Sequence, residues 1–310
     1  MLELSARGPG HIAELARIAP PTIGAVLTSA APTSANSLPR RHREDQGRTR
    51  RSAPVRRRRR PHADDPLVAA MASRTSARVV FVGESPDATV RAEDVRLDDE
   101  ARASFRLVAP QGTADVTLAL HGEHHVGNAL TAAAIALEAG TPVDQVAARL
   151  STAERRSARR MEVSTRATDG VTVLNDSYNA NPESMKAALK TLASMARPGG
   201  RRSWAVLSEM GELGTDSVSA HDEIGRLAVR LNINRLVVVG DAAAPMHTGA
   251  SHEGSWGEES VLVPDTDAAI ALLRDELRPD DVVLVKASKV AELWRVADAL
   301  LQGTELEGAE

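Results

Sequence analysis

A chain of 310 residues with 42% apolar but only 2% aromatic side chains can bury the cores of two ordinary domains, built mainly from Ala, Val and Leu. No apolar run reaches membrane-spanning length and no leader-like apolar stretch opens the chain; the absence of Cys excludes a disulfide framework and thiol chemistry. The net charge of −4 is uneven, because residues 29–62 hold eleven Arg against Glu44 and Asp45, a local +9 that leaves −13 on the rest.

A run such as Arg56 to Arg60 ordinarily reads as an arm for nucleic acid. No aromatic residue interleaves with it, so a stacking platform for single strands is missing, and no nucleic-acid partner is expected. Its low apolar content cannot offset the entropy of ordering, so the stretch is expected to be loosely attached. Downstream, Ala77–Val82, Phe105–Leu107 and Val116–Leu120 read as strands, the last after a turn at Gln111-Gly112. Asn128–Ala139 is an Ala-rich helix closed by Gly140, and Pro142–Leu150 is a second. The polar stretch Thr152–Ala158 separates this pattern from the next, which divides the chain into residues 1–155 and 156–310.

Past it, strands at Val171–Leu174, Ser203–Leu207, Leu236–Val239 and Asp281–Val285 alternate with helices at Pro182–Met195, Ala220–Leu231, Thr266–Leu277 and Val290–Leu301. Strands that are apolar throughout and separated by helices predict an α/β fold with a parallel sheet covered on both faces. In such a doubly wound sheet, chemistry sits in the loops that leave the carboxyl ends of the strands.

Those loops are unusually polar here. Asn175 to Pro182 offers carboxylate, hydroxyl and amide groups ahead of a helix N-terminus that favours anions, although one such residue would suffice as a cap. Ser208 to Gly214 follows the next strand. Lys286 closes the last one, where a charge has little structural excuse. Val239-Gly240-Asp241 lacks the further glycines of a dinucleotide fingerprint. His121, His124 and His125 match no standard zinc spacing and read as capping or surface residues.

Together these segments resemble the Mur ligases, and within them the branch that joins D-alanyl-D-alanine to UDP-N-acetylmuramoyl-tripeptide. The resemblance runs through Gly122-x-His124-x-x-x-Asn128-Ala129-Leu130, Arg160-Met161-Glu162, Asn175-Asp176-Ser177-Tyr178-Asn179-Ala180-Asn181-Pro182, Glu209-Met210-Gly211-Glu212-Leu213-Gly214 and Val285-Lys286-Ala287-Ser288. A weaker similarity lies at Glu3 to Ile12. It implies a Rossmann-like C-terminal domain, preceded by part of a P-loop-type central ATPase domain. It also implies a cytoplasmic, monomeric enzyme that forms an acyl phosphate with ATP and passes the acyl group to an amine. In that frame Glu3 matches a carboxylate that binds Mg2+, and Asn128, Asp176, Tyr178, Asn179 and Asn181 match positions around the adenine and ribose. Arg160 matches the residue that reaches the ATP phosphates, and is the expected catalytic group. Lys286, Ser288 and Lys289 match the motif facing D-alanyl-D-alanine, with Lys289 standing where Arg is usual.

Two departures stand out. The family carries a glycine-rich loop ending in Gly-Lys-Thr or Gly-Lys-Ser, yet none of Lys186, Lys190, Lys286 and Lys289 follows a Gly. That loop and the UDP-binding domain are expected upstream of Met1. The family also places a metal-ligand His and a carbamylated Lys where the Arg-rich stretch stands. Shifted-frame GC-rich codings of Thr28–Ser37 and His42–Arg51 can spell both missing motifs, so residues 29–62 are read as a frameshift product. A fragment inactive in ligation is expected. Its rivals are a remnant that only binds nucleotide or substrate, another Mur or folylpolyglutamate-type ligase, and a nucleic-acid binder that uses the basic stretch.

Overall fold

A computed structural model of the chain describes residues 10–27, 66–254 and 259–302. Glu3 and the stretch 29–62 lie outside them, so the expectations placed there stay with the sequence. The chain divides into two units. The first holds residues 1–98, 102–120 and 124–153, and the second holds residues 99–101, 121–123 and 154–310. Among the described residues no helix is long and apolar enough to cross a membrane.

In the first unit α1 (His11–Ile18) and the short α2 (Pro66–Ala70) come before a sheet of β1 (Val82–Gly83), β2 (Val90–Leu97), β3 (Arg102–Ala109) and β4 (Gly112–His121), paired in that order. Alternate residues Ala103, Phe105 and Leu107 of β3 and Val116 and Leu118 of β4 are buried, the period expected of a sheet with one covered face. They share a core with Leu130, Ala133 and Leu137 of α3 (His125–Glu138) and Val146 of α4 (Val143–Ser151). Of the strand expected at Ala77–Val82, only Val82 belongs to one. The β2 strand was not expected. Its alternation breaks at a bulge between Glu93 and Arg96, where Asp94 takes φ 56°, and this hides the period.

The second unit is a six-stranded sheet in the order β5-β6-β10-β7-β8-β9. Its strands are β5 (Glu162–Thr165), β6 (Thr172–Asn175), β7 (Ser203–Leu207), β8 (Arg235–Val239), β9 (Ser260–Val263) and β10 (Val282–Lys286). All pair in parallel except β5, an antiparallel edge on β6. The central strand β10 is buried along its whole length, as an apolar strand covered on both faces must be. Side chains alternate between two cores. Leu174, Ala205, Leu207, Val282 and Leu284 meet α5 (Pro182–Ala196), α6 (Ser217–Arg230) and α7 (Ala244–Glu253). Val173, Trp204, Val206, Val283 and Val285 meet α8 (Thr266–Glu276) and α9 (Trp294–Gln302).

The strand order places the site. The chain passes from β6 over the β10 position to β7, runs outward to β9, and returns to fill the gap as β10. The carboxyl ends of β6, β10 and β7 therefore lie side by side, with Asn175 opposite Val285 and Lys286 opposite Leu207. This reversal of strand order is the position at which open α/β sheets bind ligands.

Candidate functional site

Three loops meet at these strand ends. In the loop after β6, Asn175 accepts hydrogen bonds from both the Oγ (2.6 Å) and the backbone N–H (3.3 Å) of Ser177, which curls the chain back at once. The side-chain Oδ1 of Asn179 accepts from the N–H of Ala180 (2.9 Å). Asn181 caps α5, accepting from the N–H of Ser184 at 2.8 Å, while Ser184 Oγ accepts from the N–H of Asn181 at 3.1 Å, and Pro182 opens the helix. The side-chain oxygen of Asn181 thus serves as the cap.

Asp176 holds the loop to its surroundings. One carboxylate oxygen accepts from the N–H of Met161 (2.9 Å) and the other from Lys286 Nζ (2.6 Å). The turn before β5 is held from a second side, since the N–H of Tyr178 donates to the carbonyl of Arg159 (3.0 Å) and the N–H of Arg159 to Glu162 (3.2 Å). Arg159 (φ 59°) and Met161 (φ 49°) both sit in the left-handed region, which non-glycine residues hold only where surrounding bonds impose it. Between them Arg160 is exposed and its guanidinium lies 4.1 Å from the centroid of the Tyr178 ring, itself 43% exposed. The neighbouring Arg159 stacks the other way, 4.1 Å from the centroid of the Trp294 ring.

The loop after β10 carries Ser288 and Lys289. Ser288 donates its N–H to the carbonyl of Glu209 (2.9 Å), which couples it to the loop after β7. Its hydroxyl is buried and meets no partner. A buried polar atom left unpaired costs about 1–3 kcal/mol, so the hydroxyl marks a place where a ligand group would be welcome. Lys289 is exposed beside it. The loop after β7 is pinned from behind by His221, buried on α6, whose Nε2 accepts from the N–H of Met210 (2.9 Å) while Nδ1 donates to the carbonyl of Ser217 (2.6 Å). Burial pulls the imidazole below its ordinary pKa of 6.5, opposed by that carbonyl and by Glu209, which agrees with a neutral ring.

The profile of the Mur ligase glutamate ligase domain matches residues 159–289, and that of the Mur ligase middle domain matches residues 61–136. A UDP-N-acetylmuramoyl-tripeptide–D-alanyl-D-alanine ligase of Mycobacterium tuberculosis is 50% identical over 97% of this chain. The chain belongs to the Mur ligase family. It spans 62% of the length of that mycobacterial relative. The ligase of the same designation from Escherichia coli is 32% identical over 63% of this Mur ligase chain and 41% of its own length. A MurF crystal structure from Acinetobacter baumannii superposes with TM-score 0.82 at 23% identity, covering 97% of this chain and 64% of that one. A MurF from Thermotoga maritima in complex with ADP gives TM-score 0.78 at 22% identity, covering 98% and 67%. The fold is therefore that of a Mur ligase, with a Rossmann-like C-terminal domain preceded by central-domain structure.

Of the residues singled out in the sequence, Arg160, Asp176, Tyr178, Asn179, Asn181, Ser288 and Lys289 fall on the converging loops or the turn beside them, and Lys286 is the last residue of β10. Asn128 is exposed on the first turns of α3, in the other unit. Among the described residues no three His, Asp or Glu side chains are grouped to hold a metal ion, and His121 instead bonds through Nδ1 to the carbonyl of Glu100 (2.8 Å). The sequence reading missed Arg159 and His221, and quoted Glu162 only as part of a motif, without its bond to the Arg159 turn. Of the two missed, His221 carried a signal, because His221, Ile224, Gly225 and Ala228 recur at the spacing of one buried helical face.

Proposed function

We propose that this chain is part of an ATP-dependent ligase that joins D-alanyl-D-alanine to UDP-N-acetylmuramoyl-tripeptide in the cytoplasm, as one step of peptidoglycan synthesis. The observation that carries the reading is 50% identity, over 97% of the chain, to a ligase of that activity. The site supports it chemically. Tyr178 offers an exposed ring face and the Asp176–Asn181 loop offers polar edges, a setting suited to a nucleoside. The exposed guanidinium of Arg160 is a fork of donors for phosphate oxygens as charge develops during transfer of the terminal phosphoryl group to a carboxylate. The unpaired Ser288 hydroxyl and the Lys289 ammonium suit a small acceptor that carries a carboxylate.

The family also implies magnesium. The one carboxylate matched to it, Glu3, lies outside the described residues, and no cluster of His, Asp and Glu within them fits the ion. Titration calorimetry of ADP into the 310-residue chain tests the nucleotide half of the reading. Binding should be measurable, and Arg160→Ala should weaken it about tenfold or more while leaving D-alanyl-D-alanine binding unchanged. A chain that binds neither ligand would overturn the assignment.

A further inference from the structure

Lys286 is 1% exposed at the end of a strand whose other four residues are fully buried. Its ammonium has three acceptors, all in the loop after β6: Asp176 Oδ2 at 2.6 Å, the carbonyl of Asn179 at 2.8 Å and the carbonyl of Asp176 at 3.4 Å. An ammonium has three protons, so this set leaves none for a ligand. The same Asp176 takes the N–H of Met161, next to Arg160. On the other side, the carbonyl of Lys286 accepts from the N–H of Ser208 (3.2 Å), and two residues later Ser288 reaches Glu209.

We propose that Lys286 is a positioning residue: its ammonium holds the loop 176–181, and through Asp176 the Arg160 turn, in register with Ser288, and it does not touch the acceptor dipeptide. This revises the role that the family resemblance suggests for Lys286, and the terms nucleotide and acceptor rest on the ligase reading. A buried charge survives only when paired, and the pair joins two loops that the sequence separates by more than a hundred residues. Burial lowers the pKa of this lysine, Arg160 adds a smaller lowering, and the Asp176 carboxylate opposes both.

The chain contains no Cys, which permits a clean test. Lys286→Cys removes the ammonium, and alkylating the unfolded variant with bromoethylamine before refolding restores it, with sulfur in place of one methylene. The readouts are hydrogen exchange by mass spectrometry, ADP affinity and D-alanyl-D-alanine affinity. With the thiol, exchange should quicken in residues 159–162 and 175–184 but not in β7 and β8, and ADP affinity should fall about tenfold or more. Dipeptide affinity should stay within about twofold, and aminoethylation should reverse the changes. Loss of dipeptide affinity with an unchanged loop would make Lys286 an acceptor ligand and overturn the proposal; quickening spread evenly over the sheet would do the same. If the wild-type chain binds no ADP, the ligase reading fails, while the exchange pattern still decides the role of Lys286. Should the variant not refold, Asp176→Asn keeps the lysine and weakens the tie. It should quicken exchange in the same two segments, and no change there would refute the role.

Discussion

Polar side chains at the strand ends divide into those bonded within the loops and those left with unpaired polar atoms, and only hydrogen bonding separates the two. Asn181 and Lys286 were chosen from the sequence for ligands, yet Lys286 has three acceptors for its ammonium within the chain, and Asn181 has its side-chain oxygen engaged as the cap of α5. Arg160 and Tyr178 are exposed, the guanidinium lying over the ring, and the Ser288 hydroxyl is buried without a partner. A motif records which residues are needed at a site without recording which of them touch the ligand. His221 shows the converse, an unremarked residue with a definite task. Its neutral ring accepts from Met210, and a proton on Nε2 would break that bond. Since the folded pKa lies below the unfolded one, stability is full above about 6.5 and falls as pH drops toward the folded value, by about 1.4 kcal/mol per unit of separation. The difference in urea midpoint between the wild type and His221→Gln, which cannot titrate, should therefore narrow or change sign between about pH 7 and pH 5. A difference that is flat across that range would mean that the imidazole is not held neutral.

Helices and central strands were legible in the sequence because their burial follows one period, whereas edges and close packings were not. The strands β7 and β10 are apolar at nearly every position and were found within a residue of their ends. The edge strand β5, with half-buried Glu162 and Ser164 and exposed Thr165, carries no such mark. Helix α7 was missed because it packs through backbone instead of through an apolar stripe. A Cβ on Gly225 of α6 would fall on the carbonyl of Met246 in α7, and one on Gly249 would meet the carbonyl of Asp222. The two helices touch main chain to main chain, and Asp222, Arg226 and Glu253 bridge them at the rim. Two glycine-to-alanine changes should then have opposite signs. Gly225→Ala should destabilise by about 1–3 kcal/mol through overpacking. Gly127→Ala, on α3 with open space around the added methyl, should stabilise by about 0.5–1 kcal/mol through helix propensity. Calorimetric melting of both variants decides it, and a neutral Gly225→Ala would show that the helices can part at little cost.

At the scale of the whole chain, sequence and structure agree on a doubly wound C-terminal sheet whose switch point gathers one family's motifs, yet a competent site for phosphoryl transfer needs more than those loops. No Lys in the sequence follows a Gly, so the chain itself contains no phosphate loop of the Gly-Lys-Thr kind. The Arg-rich stretch 29–62, where the family resemblance leads one to expect a metal-ligand His and a carbamylated Lys, contains no Lys at all. Each such group acts on charge that develops in the transition state. Removing one commonly costs about a hundredfold in rate, and losses among groups that act together do not simply add. On the proposed reading the ground state depends less on them, because the nucleoside would rest on Tyr178 and the Asp176 loop without the phosphate cradle. The 310-residue chain should therefore bind ADP yet release no phosphate above background when given ATP, UDP-N-acetylmuramoyl-tripeptide and D-alanyl-D-alanine. A chimera in which the Mycobacterium tuberculosis relative supplies everything preceding residue 63 should recover release that requires the dipeptide. Arg160→Ala in that chimera should then lower the rate about a hundredfold. Recovery without any effect of Arg160→Ala would remove that residue from the reaction, and brisk turnover by the unmodified chain would show that its own residues already complete the phosphate site.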